Sequence, residues 1–179
     1  MAELFVEILG KPHGFIVFQL LAACRFTIYL SLIAFVGGGA VACLVTLLRI
    51  SNVPSLQKFA TSFIWIFQSV PLLMLLFLIG LGMPRLLDVN VDPWTAATLS
   101  LILFTAAYLA EVWRGAIESV ARGQWEASYA LNIRYSLLLR DIILPQAIKF
   151  GIAPTVGFMV QIIKGTSLAY IIGLNDLML

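Results

Sequence analysis

The chain has 179 residues, 61% of them hydrophobic and 11% charged, with a mean hydropathy of +1.02. A soluble domain is about 45–50% apolar and about 25% charged, so a water-soluble enzyme is excluded. A single membrane domain is expected, with no length left for a soluble catalytic domain beside it. A net charge of +2 is ordinary where positive residues gather on the cytoplasmic side, and it carries no nucleic-acid signal.

The first residues, MAELFVEILGKPHGF, hold two glutamates before any long apolar run. A cleaved signal peptide begins with positive charge instead, so residues 1–17 are expected to form an extracytoplasmic or interfacial segment. His13, the single histidine, stands beside Pro12 and is expected in a loop rather than as a ligand. After Arg25 the run FTIYLSLIAFVGGGAVACLVTLL reaches Leu48 without a charge, and about 20 such residues cross the hydrocarbon core. Cys24 and Cys43 fall in this one helix, 19 positions apart. That spacing is about 28 Å of helix, too far for a disulfide. The glycine run Gly37-Gly38-Gly39 reads as close helix packing or as a hinge.

A second span is expected from Phe59 to Gly82, interrupted only by Gln68, Ser69 and Pro71. Pro71 cannot donate a hydrogen bond and disrupts the helix at Phe67. A third span runs from Trp94 to Ala110 and is closed by Glu111. Five of the eleven basic residues, Arg114, Arg122, Arg134, Arg140 and Lys149, lie in the segment after it. The positive-inside rule then places residues 49–58 and 111–147 in the cytoplasm and the N-terminus outside.

Beyond this, 14 residues separate Lys149 from Lys164. That is about 21 Å of helix against a core about 30 Å thick, so one lysine lies below the membrane surface. Lys164 either snorkels to the outer interface or faces a wet interior path. Polar groups at mid-depth tend to face a bundle interior, which makes Gln68, Ser69 and Lys164 candidates for a pathway, with Pro71, Thr166 and Ser167 beside them.

The polar block opens with Glu111, Arg114, Glu118 and Arg122, spaced so that opposite charges neighbour each other on a helix. A short helix with small residues Ala127, Ser128 and Ala130 follows, one whose backbone another surface can approach closely. Asn132 then tolerates the left-handed conformation common just past a helix end. A second helix, YSLLLRDIIL, runs to Pro145, which biases Leu144 away from helical geometry. A helix–turn–helix on the cytoplasmic face is expected. On pattern alone, an amphipathic interfacial helix is the other possibility.

This block resembles the cytoplasmic loop of binding-protein-dependent ABC importer permeases. Their "EAA" signature reads Glu-Ala-Ala, three residues, Gly, nine residues, Ile, one residue, Leu-Pro. Glu126, Ala127, Ile142, Leu144 and Pro145 match it, with Ser128 for the second Ala and Asn132 for the Gly. FQSVPLLMLLF (67–77), AAYLAEVWRGAIESVARGQWEA (106–127) and LPQAIKFGIAPTVGFMVQIIKGTSL (144–168) are similar to the branch that imports polar amino acids. Where that branch commonly has Lys-Asp-Thr-Ser-Leu, this chain has Gly165 after Lys164.

The resemblance implies an all-α polytopic bundle of the type I ABC importer fold, residues 18–179, with four or so spans and a cytoplasmic coupling-helix loop over about 111–147. The family usually continues into one more span, which is expected to be missing after GLNDLML. It implies a permease subunit in a bacterial inner membrane, paired with a second permease chain in a homo- or heterodimer. Its other partners would be ABC ATPase subunits and an extracytoplasmic substrate-binding protein. The ATPase contact is expected on Arg122, Gly123, Glu126, Ala127, Ser128, Ala130, Leu131, Asn132, Ile133 and Arg134, with Pro145 behind them. No phosphate loop, HExxH or G-x-S-x-G occurs, so ATP and magnesium would be held by the partner and the chain itself would need no cofactor. The competing class is a non-transporting membrane scaffold that docks the same kind of partner.

Overall fold

The charge-free run after Arg25 is the middle of a longer helix, α1 (Lys11–Arg49), which passes Arg25 without a break in this computed structural model. The model describes residues 11–172. Most of the expected N-terminal segment, 1–17, therefore lies outside the described residues, as do the final residues, 173–179. His13, expected in a loop, lies within α1. Both cysteines are on this helix, exposed and unpaired.

The expected second span is not one helix. α2 (Pro54–Ser69) begins with a proline at its first turn, where the missing N–H would have no partner anyway. Val70 and Pro71 are extended, with ψ of 123° and 143°. The chain then resumes as α3 (Leu72–Leu87), bent 97° from α2. The Pro71 ring would strike the Phe67 carbonyl of a continuous helix and pushes Val70 into the extended region. The apolar residues on either side did not outweigh that steric block. α3 contains a π turn over Leu78–Gly82 and ends at Asp88, which takes a left-handed φ of 52°.

α4 (Pro93–Glu118) is capped by the Asp92 carboxylate, which accepts the Thr95 N–H at 3.4 Å. It runs two turns beyond the Glu111 where the span was expected to close. α5 (Arg122–Ala130) is the short helix of the polar block. α6 (Tyr135–Ala169) then runs without a break from that block through the last described span, tightening into a 3-10 segment over Ser167–Ile172.

Pro145 does not interrupt α6: Leu144 is helical, with φ −59° and ψ −43°. The turn just before it, Leu138–Ile143, is π-helical, and the extra residue carries the carbonyl ladder out of the register in which the proline ring would clash. The second helix of the expected helix–turn–helix is thus not confined to the membrane surface but continues as a span. α1, α4 and α6 are each long and apolar enough to cross a membrane, and the bent α2–α3 pair makes a fourth crossing if it is counted as one.

α4 is the central helix, packing on α1, α2 and α6. Its contact with α1 is made by small residues: Ala34, Ala42, Ala106 and Ala110 are all fully buried. A Cβ at Gly38 would lie 2.5 Å from the Cβ of Thr105, and one at Gly37 would lie 2.9 Å from the tip of Ile102. The glycine run is therefore a packing surface, the close approach that small residues permit between membrane helices. Large apolar side chains such as Ile28, Val36, Leu44, Ile66 and Ile152 point outward, as a bilayer-facing surface requires.

Candidate coupling surface and transport path

α5 sits on a small core of its own. Ile117 and Val120 from the end of α4 meet Leu138, Ile143 and Ala147 of α6, and Trp125 and Ile133 pack against them. This second core lies apart from the main one and holds α5 from behind.

The turn that ends α5 is a Schellman motif. The Ile133 N–H donates to the Ser128 carbonyl and the Asn132 N–H to the Tyr129 carbonyl, both at 3.0 Å, the pairing that satisfies the last helical carbonyls. It requires a left-handed residue, and Asn132 supplies it with a φ of 52°. The expectation that asparagine takes the place of a glycine here is met in the backbone.

One face of α5 is thereby turned out. Arg122, Gly123, Glu126, Ala127, Ala130, Leu131, Asn132 and Arg134 are exposed, Leu131 at 74%. Gly123, Ala127 and Ala130 recur at helical spacing, so the outward strip is nearly free of side chain, and a Cβ at Gly123 would meet nothing within 4 Å. Ser128 belongs to the other side. It is 3% exposed and its hydroxyl donates to the Gln124 carbonyl at 2.7 Å. Ile133 is likewise half-buried in the small core, and Pro145 lies a helix away in α6. Within the expected contact set, then, Ser128 and Ile133 support the outward strip rather than form it, and Pro145 is exposed on α6 away from it.

Above α5, Arg114 is held between Glu111 and Glu118 on α4. Its Nε donates to Glu111 at 3.0 Å, and a second guanidinium nitrogen pairs with Glu118. The three-and-four spacing in the sequence had pointed to this ladder. Two long-range contacts had no such signal. The Tyr135 hydroxyl donates to the Ile50 carbonyl at 2.7 Å, and the Trp113 indole N–H donates to Thr155 Oγ1 at 3.1 Å.

The expected path residues divide into two groups. Gln68 faces α4, where its Nε2 donates to the Ala107 carbonyl at 3.4 Å. Ser69 is exposed and its hydroxyl donates to the Trp65 carbonyl at 2.6 Å. Beyond the break, the start of α3 packs against the 3-10 end of α6. There a Cβ at Gly165 would lie 2.9 Å from Leu72, so the chain segment next to Pro71 meets the segment holding Thr166 and Ser167. Thr166 is buried and donates to the Ile163 carbonyl, while Lys164 and Ser167 are exposed.

Residues 38–179 match the family described as binding-protein-dependent transport system inner membrane component. The chain belongs to that family. It is 34% identical over 153 residues to the probable amino-acid ABC transporter permease protein YckA of Bacillus subtilis (strain 168), covering 86% of this chain and 67% of the relative. It is 33% identical to the probable glutamine ABC transporter permease protein GlnM of the same organism, covering 85% of this chain and 70% of the relative. In three dimensions it is similar to a chain of an amino acid ABC transporter crystallised with histidines, with a TM-score of 0.83 and 28% identity, over 89% of this chain and 74% of that one. The family and the apolar helices together make this a multi-pass membrane protein.

Proposed function

We propose that this chain is the permease subunit of an ATP-driven importer of a polar amino acid. It would line the membrane path beside a second permease chain, receive substrate from an extracytoplasmic binding protein and couple to ATPase subunits in the cytoplasm. The observation that carries this reading is the outward strip of α5. A helix bare of large side chains on one face, rigidly backed on the other, suits insertion into a groove of a partner protein. Glu126, Ala127, Ala130 and Leu131 would enter that groove, with Arg122 and Arg134 flanking it, and Ser128, Asn132 and Ile133 would hold the helix in place.

In this arrangement residues 1–17 are extracytoplasmic, residues 18–179 form the transmembrane domain, and the 111–147 segment faces the cytoplasm of a bacterial cell. ATP and magnesium belong to the partner. Their binding shifts the permease only through a difference in affinity between its conformations, and α5 is where that difference would be transmitted. Gln68, Ser69, Pro71, Lys164, Thr166 and Ser167 would face the path. The break at Val70–Pro71 leaves backbone groups unpaired by a helix, which is tolerated at membrane depth where backbone is buried in protein or lines a wet cavity.

The test is ATP hydrolysis in proteoliposomes holding this chain and the ATPase encoded beside it, with and without a binding protein loaded with a polar amino acid. Stimulation by one loaded binding protein, abolished by Ala127→Trp, is the expected result. An ATPase that binds the chain and never responds would instead mark a scaffold that docks the partner without conducting.

A further inference from the structure

Where α1 ends, a cleft of about 180 Å³ opens between α1, α2 and α4, lined by Arg49, Thr61, Ile64, Trp65, Gln68, Glu111 and Arg114. Liquid water occupies about 30 Å³ per molecule, so the space suits a few waters or one small solute. Its lining is unlike the rest of the chain: five of the seven residues are polar or charged, on helices whose other faces are largely apolar. Thr61 and Gln68 are seven positions apart on α2, about 10 Å of helix. The cleft therefore climbs from the basic end of α1 toward the break at Val70–Pro71.

The charges in it are not equivalent. Arg114 is committed to Glu111 and Glu118. Arg49 has no carboxylate within 4.0 Å among the described residues. An intramembrane or interfacial cation without a partner is costly unless water or a ligand meets it. A guanidinium presents a planar fork suited to a carboxylate, and the Gln68 amide lies in the same lining. Across the cleft, each Glu111 oxygen accepts one bond from Arg114, which leaves further lone pairs for an ammonium group.

We propose that this cleft is an inner binding station for the transported amino acid, with Arg49 taking the α-carboxylate and Glu111 facing the α-ammonium. The proposal rests on the importer reading for its ligand, and it places a substrate contact at Arg49. The station would hold the substrate near the cytoplasmic mouth, between the break in the second crossing and the coupling helix.

The experiment labels a single cysteine, Thr61→Cys, in a Cys24→Ser, Cys43→Ser background, using the assembled permease–ATPase complex in inverted membrane vesicles. Two methanethiosulfonate reagents of similar size are compared, one carrying a sulfonate and one a trimethylammonium group. With each rate divided by that reagent's rate with a free thiol in solution, the anionic reagent is expected to be favoured about fivefold or more, the ratio a unit charge about 10 Å away gives at an intermediate effective dielectric. Arg49→Gln should erase that preference, and Arg49→Lys should keep it. A panel of polar L-amino acids is then tested for protection, each against its decarboxylated amine. At least one amino acid should slow labelling while its amine does not, and Arg49→Gln should remove the protection.

An anionic-to-cationic rate ratio no higher than that of a free thiol would overturn the proposal. So would the absence of protection by an amino acid that stimulates ATP hydrolysis through the binding protein, and in that case the importer reading would stand. Conversely, selective protection without any stimulated hydrolysis would sink the importer reading and leave the carboxylate-binding cleft.

Discussion

The Tyr135 hydroxyl donates to the Ile50 carbonyl at 2.7 Å, fastening the first residue of α6 to the end of α1 across 85 positions of chain. The last carbonyls of a helix have no partner within it, so this bond both completes α1 and ties it to the platform under α5. Trp125 and Ile133 of the α5 region and Ile50 at the end of α1 pack against the same small core as Tyr135, so α5 and α1 are joined by continuous packing.

Tyr135→Phe should therefore weaken coupling more than folding. A lost hydrogen bond of this kind costs about 0.5–1.5 kcal/mol, a fall of a few degrees in the melting temperature of the detergent-solubilised protein. The ATPase should still copurify with the variant, but its stimulation by loaded binding protein should drop. Undiminished stimulation would show that the Tyr135 bond transmits nothing.

Asn132 tests the Schellman turn. Asn132→Gly keeps the left-handed backbone and should leave the melting temperature unchanged or slightly raised. Asn132→Val places a β-branched residue at a φ of 52° and should cost about 1–2 kcal/mol or more. Equal melting curves for the two variants would mean that the turn relaxes to another geometry.

Ala127 and Ser128 are neighbours in sequence and opposites in the fold. Ala127→Trp adds a ring to an exposed position, so the melting temperature should hold while ATPase binding is lost. Ser128→Trp drives a ring into a site that is 3% exposed and should destabilise the chain by about 3 kcal/mol or more. A common loss of folding in both would remove the distinction between an outward and a supporting face.

Much of this was legible before the structure because it depends on local chemistry. The charge-free run after Arg25, the Glu111–Arg114–Glu118 spacing and the asparagine at position 132 each act within a few residues of themselves. The prolines divided. Pro71 breaks its span because nothing relieves the clash with Phe67, whereas a π turn over Leu138–Ile143 relieves Pro145, and no residue pattern in that segment announces such a turn. The cleft at Arg49 was hidden for a different reason. Its residues come from three helices, and apart from Gln68 none is unusual where it stands: Arg49 looks like the basic end of a span, and Glu111 like the close of another. Only the packing of α1, α2 and α4 brings them together. The direction of Ser128 was equally out of reach, since the motif specifies a small residue whether it faces a partner or a core.

Gly37, Gly38 and Gly39 of α1 should differ sharply, because packing rather than hinge motion fixes their role. A Cβ at Gly38 would meet the Cβ and Cγ2 of Thr105, both at 2.5 Å, on a neighbouring helix whose backbone is itself close. Gly38→Ala should cost at least the 1–3 kcal/mol or so typical of overpacking. At Gly37 the obstacle is the flexible end of Ile102 at 2.9 Å, so Gly37→Ala should be milder. Gly39→Ala meets only Trp113 at 3.9 Å and should be nearly neutral. Thermal melts of the three purified variants, followed by size-exclusion, would give this order. Thr105→Gly should restore part of the stability lost in Gly38→Ala, since it removes the Cβ that blocks the new methyl. A hinge would behave otherwise: all three alanines would reduce transport, none would depend on residue 105, and the melting temperatures would rise as helix propensity improved.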